Sequence, residues 1–250
     1  MKEDEVYDKL SKTEVDGRIS GRHSRRKISE RVFDNATLLT LSKLSRKGAF
    51  TEIKSLVSQG KEANVYHGLR DGESVALKIY AYETSDFKNM GKYIRGDPRF
   101  TSWKNKRQLV NTWAQKEYSN LSRISGEVEC PKPIAVMNNV LVMQFIGDDG
   151  IPAPRLKDSA LKDPTGYFNR TLDYMRKMYS RGLVHGDLSE YNLLDWGRPV
   201  VIDFSTGVLL EHPLAEEFVE RDVANIVNYF TKQGVKAEYN EVLRKVRSGD

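Results

Sequence analysis

Cysteine is nearly absent: Cys130 stands alone in 250 residues, so no internal disulfide can form and packing must hold the fold. No apolar run approaches the roughly 20 residues of a membrane span, and no apolar stretch near the amino terminus reads as a secretory signal. These absences predict a soluble, cytoplasmic protein with no membrane partner. No internal repeat or low-complexity tract marks a solenoid or a disordered chain. What is present suits a globular protein, with 39% apolar and 30% charged residues, enough to bury a full core. The net charge of +5 is a weak pointer to anionic partners such as nucleotide or RNA.

The chain changes character along its length. Residues 1–33 read as a charged amino-terminal tail, in which the stretch "RISGRHSRRKISER" sets six Arg/Lys against one Glu. Such a run is more often a solvated tail than an RNA contact. A capped helix is predicted next, with Asp34 or Asn35 at its start, Leu38, Leu41 and Leu44 on one face and Gly48 just past its end. "FTEIKSLVSQG", "ANVYHGL" and "SVALKIY", with the turn "RDGE", read as three antiparallel strands. Residues 83–100 are polar and interrupted by Gly91, Gly96 and Pro98, which predicts a mobile loop without an apolar face. In "QLVNTWAQKEYSNLSRIS", Leu109, Trp113, Glu117, Leu121 and Ile124 fall on one helical stripe, with Glu117 its charged member. Strands "KPIAVM" and "VLVMQFIG" follow, then the Gly/Pro connector "GDDGIPAPR". The expected domains are 34–146, an N-lobe with the preceding helix, and 147–250, a C-lobe. In the second, a helix in "TGYFNRTLDYMRKMYSRG", a hairpin turning at "DWGR" and a final helix in "HPLAEEFVERDVANIVNYFTKQG" are predicted.

The stretch "LVHGDLSEYNLLDWGRPVVIDFS" concentrates chemistry. Asp187 and Asn192 fall on a loop, and Asp203 is expected to end the second hairpin strand. Phosphoryl transfer asks for this set: a carboxylate to orient the attacking hydroxyl and hard oxygen ligands for Mg2+ on the phosphates. Asp187 suits the first task, Asn192 and Asp203 the second. Upstream, Lys78 in "VALKIY" occupies a strand position near the kinase strand-lysine pattern, and Glu117 on the following helix supplies the counter-charge that a half-buried lysine needs. His185 is read as a brace for the loop rather than an acid or base.

Two ordinary kinase features are missing. Where G-x-G-x-x-G belongs, the sequence reads "SQGKEANVY", in which the amides of Ser58 to Glu62, the Ser58 hydroxyl and the Lys61 side chain are candidates to cover the phosphates. After Asp203 comes "FST" rather than Phe-Gly, with no A-P-E, so the segment that docks a peptide is lacking.

With these departures, "GKEANVYHG", "VALKIY", "NTWAQKEYSNLSRI", "HGDLSEYN" and "IDFSTGVLLEHPLAEEFVERD" together resemble the RIO family of atypical serine kinases and ATPases, in its subgroup without an amino-terminal winged helix. The resemblance spans about residues 34–231. It implies an α+β, two-lobed protein-kinase-like fold, truncated after the metal-binding strand. It also implies that Ser58 and Lys61 face the phosphates of ATP, that Lys78 pairs with Glu117 and contacts phosphate, and that Asp187 is the catalytic carboxylate. Asn192 and Asp203 would hold Mg2+, with Mn2+ as a substitute. "VMQFI" resembles the hinge, with Met143 at the gate to the adenine pocket and Gln144, Phe145 and Ile146 offering backbone groups to the base. Gln144 stands where an acidic residue is more usual, and Gly186 where alanine is. Members act in small ribosomal subunit maturation, which implies a precursor particle of rRNA and ribosomal proteins as partner. The expected function is phosphoryl transfer to protein serine, ATP hydrolysis, or both. A non-catalytic nucleotide-binding scaffold on such particles is the alternative, against which the intact Lys, Glu, Asp, Asn and Asp set argues.

Overall fold

The computed structural model describes residues 34–83, 87–100 and 103–248. The basic run Arg22–Arg31, and the tail as a whole, lie outside the described residues. The chain divides into two compact units, one taking the chain up to Asp86 with Lys104–Gln115 and Pro133–Pro152, the other Phe87–Trp103, Lys116–Lys132 and the chain from Ala153.

The first unit opens with helix α1 (Asn35–Arg46), capped by Asp34, whose carboxylate accepts from the Thr37 amide at 2.8 Å. Gly48 takes φ +74° just beyond its end, a left-handed turn that glycine adopts without strain. Five strands follow: β1 (Glu52–Gln59), β2 (Ala63–Arg70), β3 (Glu73–Tyr80), β4 (Pro133–Met137) and β5 (Val140–Gln144). They form one antiparallel sheet in the order β1-β2-β3-β5-β4. The expected "RDGE" turn joins β2 to β3, with Asp71 and Gly72 both at positive φ, the geometry of a tight hairpin. Leu38, Leu41 and Leu44 of α1 are buried with Phe50, Ile53, Tyr66, Leu77 and Val142. The connector after β5 folds into a short hairpin of β6 (Gly147–Asp148) and β7 (Ile151–Pro152).

The second unit is mainly helical. Helix α2 (Phe87–Ile94) corrects the expectation of a loop over 83–100. Met90, Tyr93 and Ile94 are all buried, so the segment does have an apolar face, carried on three residues at helical spacing with Gly91 between them. Helix α3 (Lys106–Ile124), whose part up to Gln115 belongs to the first unit and whose remainder belongs to the second, matches its sequence pattern: Leu109, Trp113, Glu117, Leu121 and Ile124 are all buried. Helix α4 (Pro164–Ser180) starts at Asp163, which accepts from the Gly166 amide, and has Pro164 at its first position. Strands β8 (Leu183–Val184), β9 (Leu193–Asp195), β10 (Pro199–Val201) and β11 (Val208–Leu209) frame the loops between α4 and helix α5 (Ala215–Lys232). The chain does not finish its helices there. Helix α6 (Tyr239–Ser248) buries Val242, Leu243 and Val246, correcting the expectation that α5 is last, and it packs on α4 and α5.

Candidate active site

In the first unit, β3 carries Lys78 opposite Val65 of β2 and Leu141 of β5, the middle of the sheet. It is 7% exposed, with its ammonium 5.2 Å from the Tyr80 ring centre. Ser58 lies near the end of β1 opposite Val65, half-buried, while Lys61 is exposed in the tight turn that the Gly60 amide closes on the Ala63 carbonyl at 3.0 Å. Met143 and Gln144 end β5, paired with Ala76 and Val75. Phe145 leaves the sheet buried, its ring 4.9 Å from that of His67, and Ile146 is half-buried.

In the second unit, the loop after β8 carries Asp187 and Asn192, and the turn after β10 carries Asp203. The Asn192 amide donates to the Asp187 carbonyl at 2.8 Å and to its carboxylate at 3.1 Å. The Asn192 carbonyl accepts from the Ile202 amide at 3.0 Å, which sets Asp203 beside it. Asp203 does not end strand β10, as expected, but stands two residues beyond, in the left-handed region at φ 62°, ψ 68°. The chain turns there because a one-turn 3-10 helix, Phe204–Thr206, starts at once, and the Ser205 hydroxyl donates to the Asp203 carboxylate at 2.7 Å. The Asp187 side chain reaches the surface, yet its pKa is raised, first by desolvation and then by the charge of Asp203, against Arg221 and the Asn192 hydrogen bond. Glu117 is fully buried on α3, where a carboxylate is tolerable only in polar company.

His185 braces this loop. It is 1% exposed, its Nε2 lies 3.0 Å from the Ile202 carbonyl, and its Nδ1 accepts from the Asp187 amide at 3.3 Å. A single tautomer, protonated on Nε2, satisfies both bonds.

Sequence reasoning passed over Asp222. This carboxylate on α5 is 2% exposed and accepts from the amides of Gly186 and Leu188, both at 2.8 Å, thereby gripping the backbone on either side of Asp187. Burial pushes its pKa up to about 7 against those two amides and Arg221. The neighbouring Arg221 donates to the Gly186 carbonyl and to the Tyr93 hydroxyl of α2. A signal existed: Asp222 lies in the apolar stripe Phe218, Val219, Val223, Ile226, the same anomaly that singled out Glu117. Gly186 takes φ +77°, and a Cβ there would stand 2.9 Å from the Thr206 carbonyl oxygen, so the tight approach of the two loops uses its missing side chain.

Among the described residues there is no cluster of three or more His, Cys, Asp or Glu side chains fit to hold a metal. The donor set of Asn192 and Asp203 is instead one amide and one carboxylate oxygen. That is the hard, sparse set with which Mg2+ is commonly held while phosphates and water complete its shell. Asp187, held by Asn192, has the chemistry to orient and deprotonate a hydroxyl.

Comparison with known proteins shows the family and the fold. The family model described as "RIO domain" matches residues 64–242. The RIO-type serine/threonine-protein kinase Rio1 of Methanocaldococcus jannaschii is 44% identical over 223 residues, covering 88% of this chain and 77% of the relative. The human serine/threonine-protein kinase RIO1 is 43% identical over 215 residues, covering 82% of this chain and 38% of that longer protein. Among solved structures, the Rio2 kinase from Chaetomium thermophilum superposes with a TM-score of 0.67 at 18% identity, over 100% of this chain and 89% of its own. Its ADP/Mg2+-phosphoaspartate complex gives 0.64 at 20% identity, over 93% and 78%. These likenesses establish a kinase-like α+β fold.

Proposed function

This chain belongs to the RIO family of atypical serine/threonine protein kinases, and we propose that it carries out ATP- and Mg2+-dependent phosphoryl transfer to a protein serine. The observation that carries the reading is the convergence of Asp187, Asn192 and Asp203 on one loop and turn. Asp187 orients the serine hydroxyl and accepts its proton, the new O–P bond forms at the γ-phosphorus, and the β–γ bridging bond breaks to leave ADP. Asn192 keeps Asp187 aimed. Lys78, with Glu117 as its counter-charge, and Lys61 and Ser58 face the phosphates; Met143 to Ile146 receive the adenine. Asn192 and Asp203 would hold Mg2+, which when bound would supply positive charge to offset that of the phosphate oxygens. The ADP and Mg2+ bound by the Chaetomium thermophilum neighbour support this nucleotide and metal. Following the resemblance, we place the substrate among proteins of a small ribosomal subunit precursor in the cytoplasm.

A second reading makes the protein an ATPase that phosphorylates itself on Asp203. The phosphoaspartate in the neighbour's complex favours it. A carboxylate oxygen of Asp203 would attack the γ-phosphorus, ADP would leave, and water would later cleave the acyl phosphate. Incubating the protein with labelled ATP and Mg2+, with and without pre-ribosomal particles, distinguishes the two. Label resistant to hydroxylamine and mapping to serine supports the kinase; hydroxylamine-sensitive label abolished by Asp203→Asn supports the ATPase. Neither label nor free phosphate would refute both.

A further inference from the structure

Asp203 stands in a left-handed conformation, and the carbonyls of Phe204, Ser205 and Gly207 that follow it turn toward helix α3. Two buried side chains meet them. Lys116, 0% exposed, donates to the Ser205 carbonyl at 2.9 Å and to the Gly207 carbonyl. Asn120, one helical turn on and also 0% exposed, donates to the carbonyls of Phe204 and Gly207, both at 2.8 Å. The Asn120 amide is itself oriented: its oxygen accepts from Arg99 at 2.8 Å. Arg99 in turn is clamped by Asp97, which is 2% exposed and receives two guanidinium bonds at 2.9 and 2.7 Å. Buried carbonyls at such a turn need donors, and a buried ammonium needs acceptors, so each group accounts for the other. The turn they hold contains Ser205, whose hydroxyl fixes the Asp203 carboxylate.

We propose that Lys116 and Asn120 are positioning residues: they hold the turn after Asp203 so that its carboxylate faces the divalent cation, with Arg99 and Asp97 setting the Asn120 amide. The proposal rests on the reading of Asp203 as a metal ligand. It gives the segment after α2 a definite task, since Asp97 and Arg99 orient Asn120, which holds the Phe204 and Gly207 carbonyls of the turn next to Asp203. The arrangement is more than generic core packing, because all four donated bonds end on the backbone of Phe204–Gly207.

The test uses the full chain and does not depend on turnover. ADP binding is measured calorimetrically as Mg2+ is titrated, and once in EDTA, for wild type, Lys116→Met, Asn120→Asp and Arg99→Gln. Lys116→Met and Asn120→Asp should raise the Mg2+ concentration for half-maximal ADP binding by about tenfold or more, the scale on which supporting residues tune a metal site. ADP affinity in EDTA should stay within about twofold, and amide exchange at Phe204–Val208 should accelerate. Arg99→Gln, which leaves both donors in place, should shift the midpoint in the same direction by less. If Lys116→Met does not fold, Asn120→Asp and Arg99→Gln read the same turn. A wild type that binds ADP equally in EDTA and Mg2+ defeats the metal-site reading itself. A Mg2+-dependent wild type whose folded variants share its midpoint defeats only the positioning proposal.

Discussion

Replacing Asp222 by Asn tests the grip on the catalytic loop with a magnitude and a pH dependence. The carboxylate accepts two buried amides, and an asparagine offers one oxygen, so one of Gly186 and Leu188 must face an NH2 group instead. Leaving a buried donor without an acceptor costs about 1–3 kcal/mol, and Asp222→Ala, which strips both, about twice that. The native pKa of Asp222 lies near 7, above its ordinary 3.8, because of burial first and Asp187 in addition, with the two amides and Arg221 opposing. Between these values the native protein keeps a proton that the unfolded chain has released. Wild-type stability should therefore fall as pH rises through this window, by up to about 1.4 kcal/mol per pH unit, while Asp222→Asn lacks that slope. The destabilisation by Asn is consequently greatest near pH 5 and shrinks toward pH 7.5. Urea unfolding followed by tryptophan fluorescence at both values measures it. A gap that widens with pH, or an Asn variant indistinguishable from wild type at pH 5, would refute the reasoning.

Asp187→Ala should cut turnover by about two orders of magnitude or more while ADP affinity stays within about twofold, whereas Asp203→Asn should weaken Mg2+-dependent ADP binding; equal binding losses contradict the two roles. The Lys116 pKa is depressed to about 7 by burial, with Arg99 assisting and Asp97 and Glu117 opposing, against 10.5 in the unfolded chain. The unfolded state holds the extra proton between these values, so stability should rise from pH 7 toward pH 10, and a Lys116→Met variant whose urea midpoint rises in parallel would contradict this. Gly96 sits at φ +91° with a prospective Cβ 2.6 Å from Pro213 Cδ. Gly96→Ala should destabilise by about 1 kcal/mol or more, lowering the thermal midpoint by several degrees; an unchanged midpoint would refute the clash.

Legibility in the sequence followed the strength of local signals. The strands around "RDGE" and the α1 cap were legible because turn and cap chemistry are written in adjacent residues. Lys78, Glu117, Asp187, Asn192 and Asp203 stood out because each places a charged or amide group where period or motif calls attention to it. Helix α2 escaped notice because Gly91 interrupts it and its sequence is otherwise polar and short, so tertiary burial of Met90, Tyr93 and Ile94 supplies what local propensity does not. Lys116 and Asn120 were invisible for another reason. Polar residues four apart on a helix read as a solvent face, and only the distant carbonyls of 204–207 reveal that this face is buried.

Among the described residues, the four non-glycine positions at positive φ are Asp71, Asn138, Asp149 and Asp203, all of them Asp or Asn. Three belong to hairpin turns, where the residue is chosen for what its backbone can do. At Asp203 two selections act on one side chain: the backbone admits glycine, asparagine and aspartate cheaply, and ligand chemistry then separates the aspartate from the others. An alanine there would add left-handed strain of about 1 kcal/mol to the loss of the carboxylate, mixing two effects in one measurement. Asparagine passes the backbone selection and fails only the chemical one, so the Asp203→Asn variant isolates the charge from the turn that presents it.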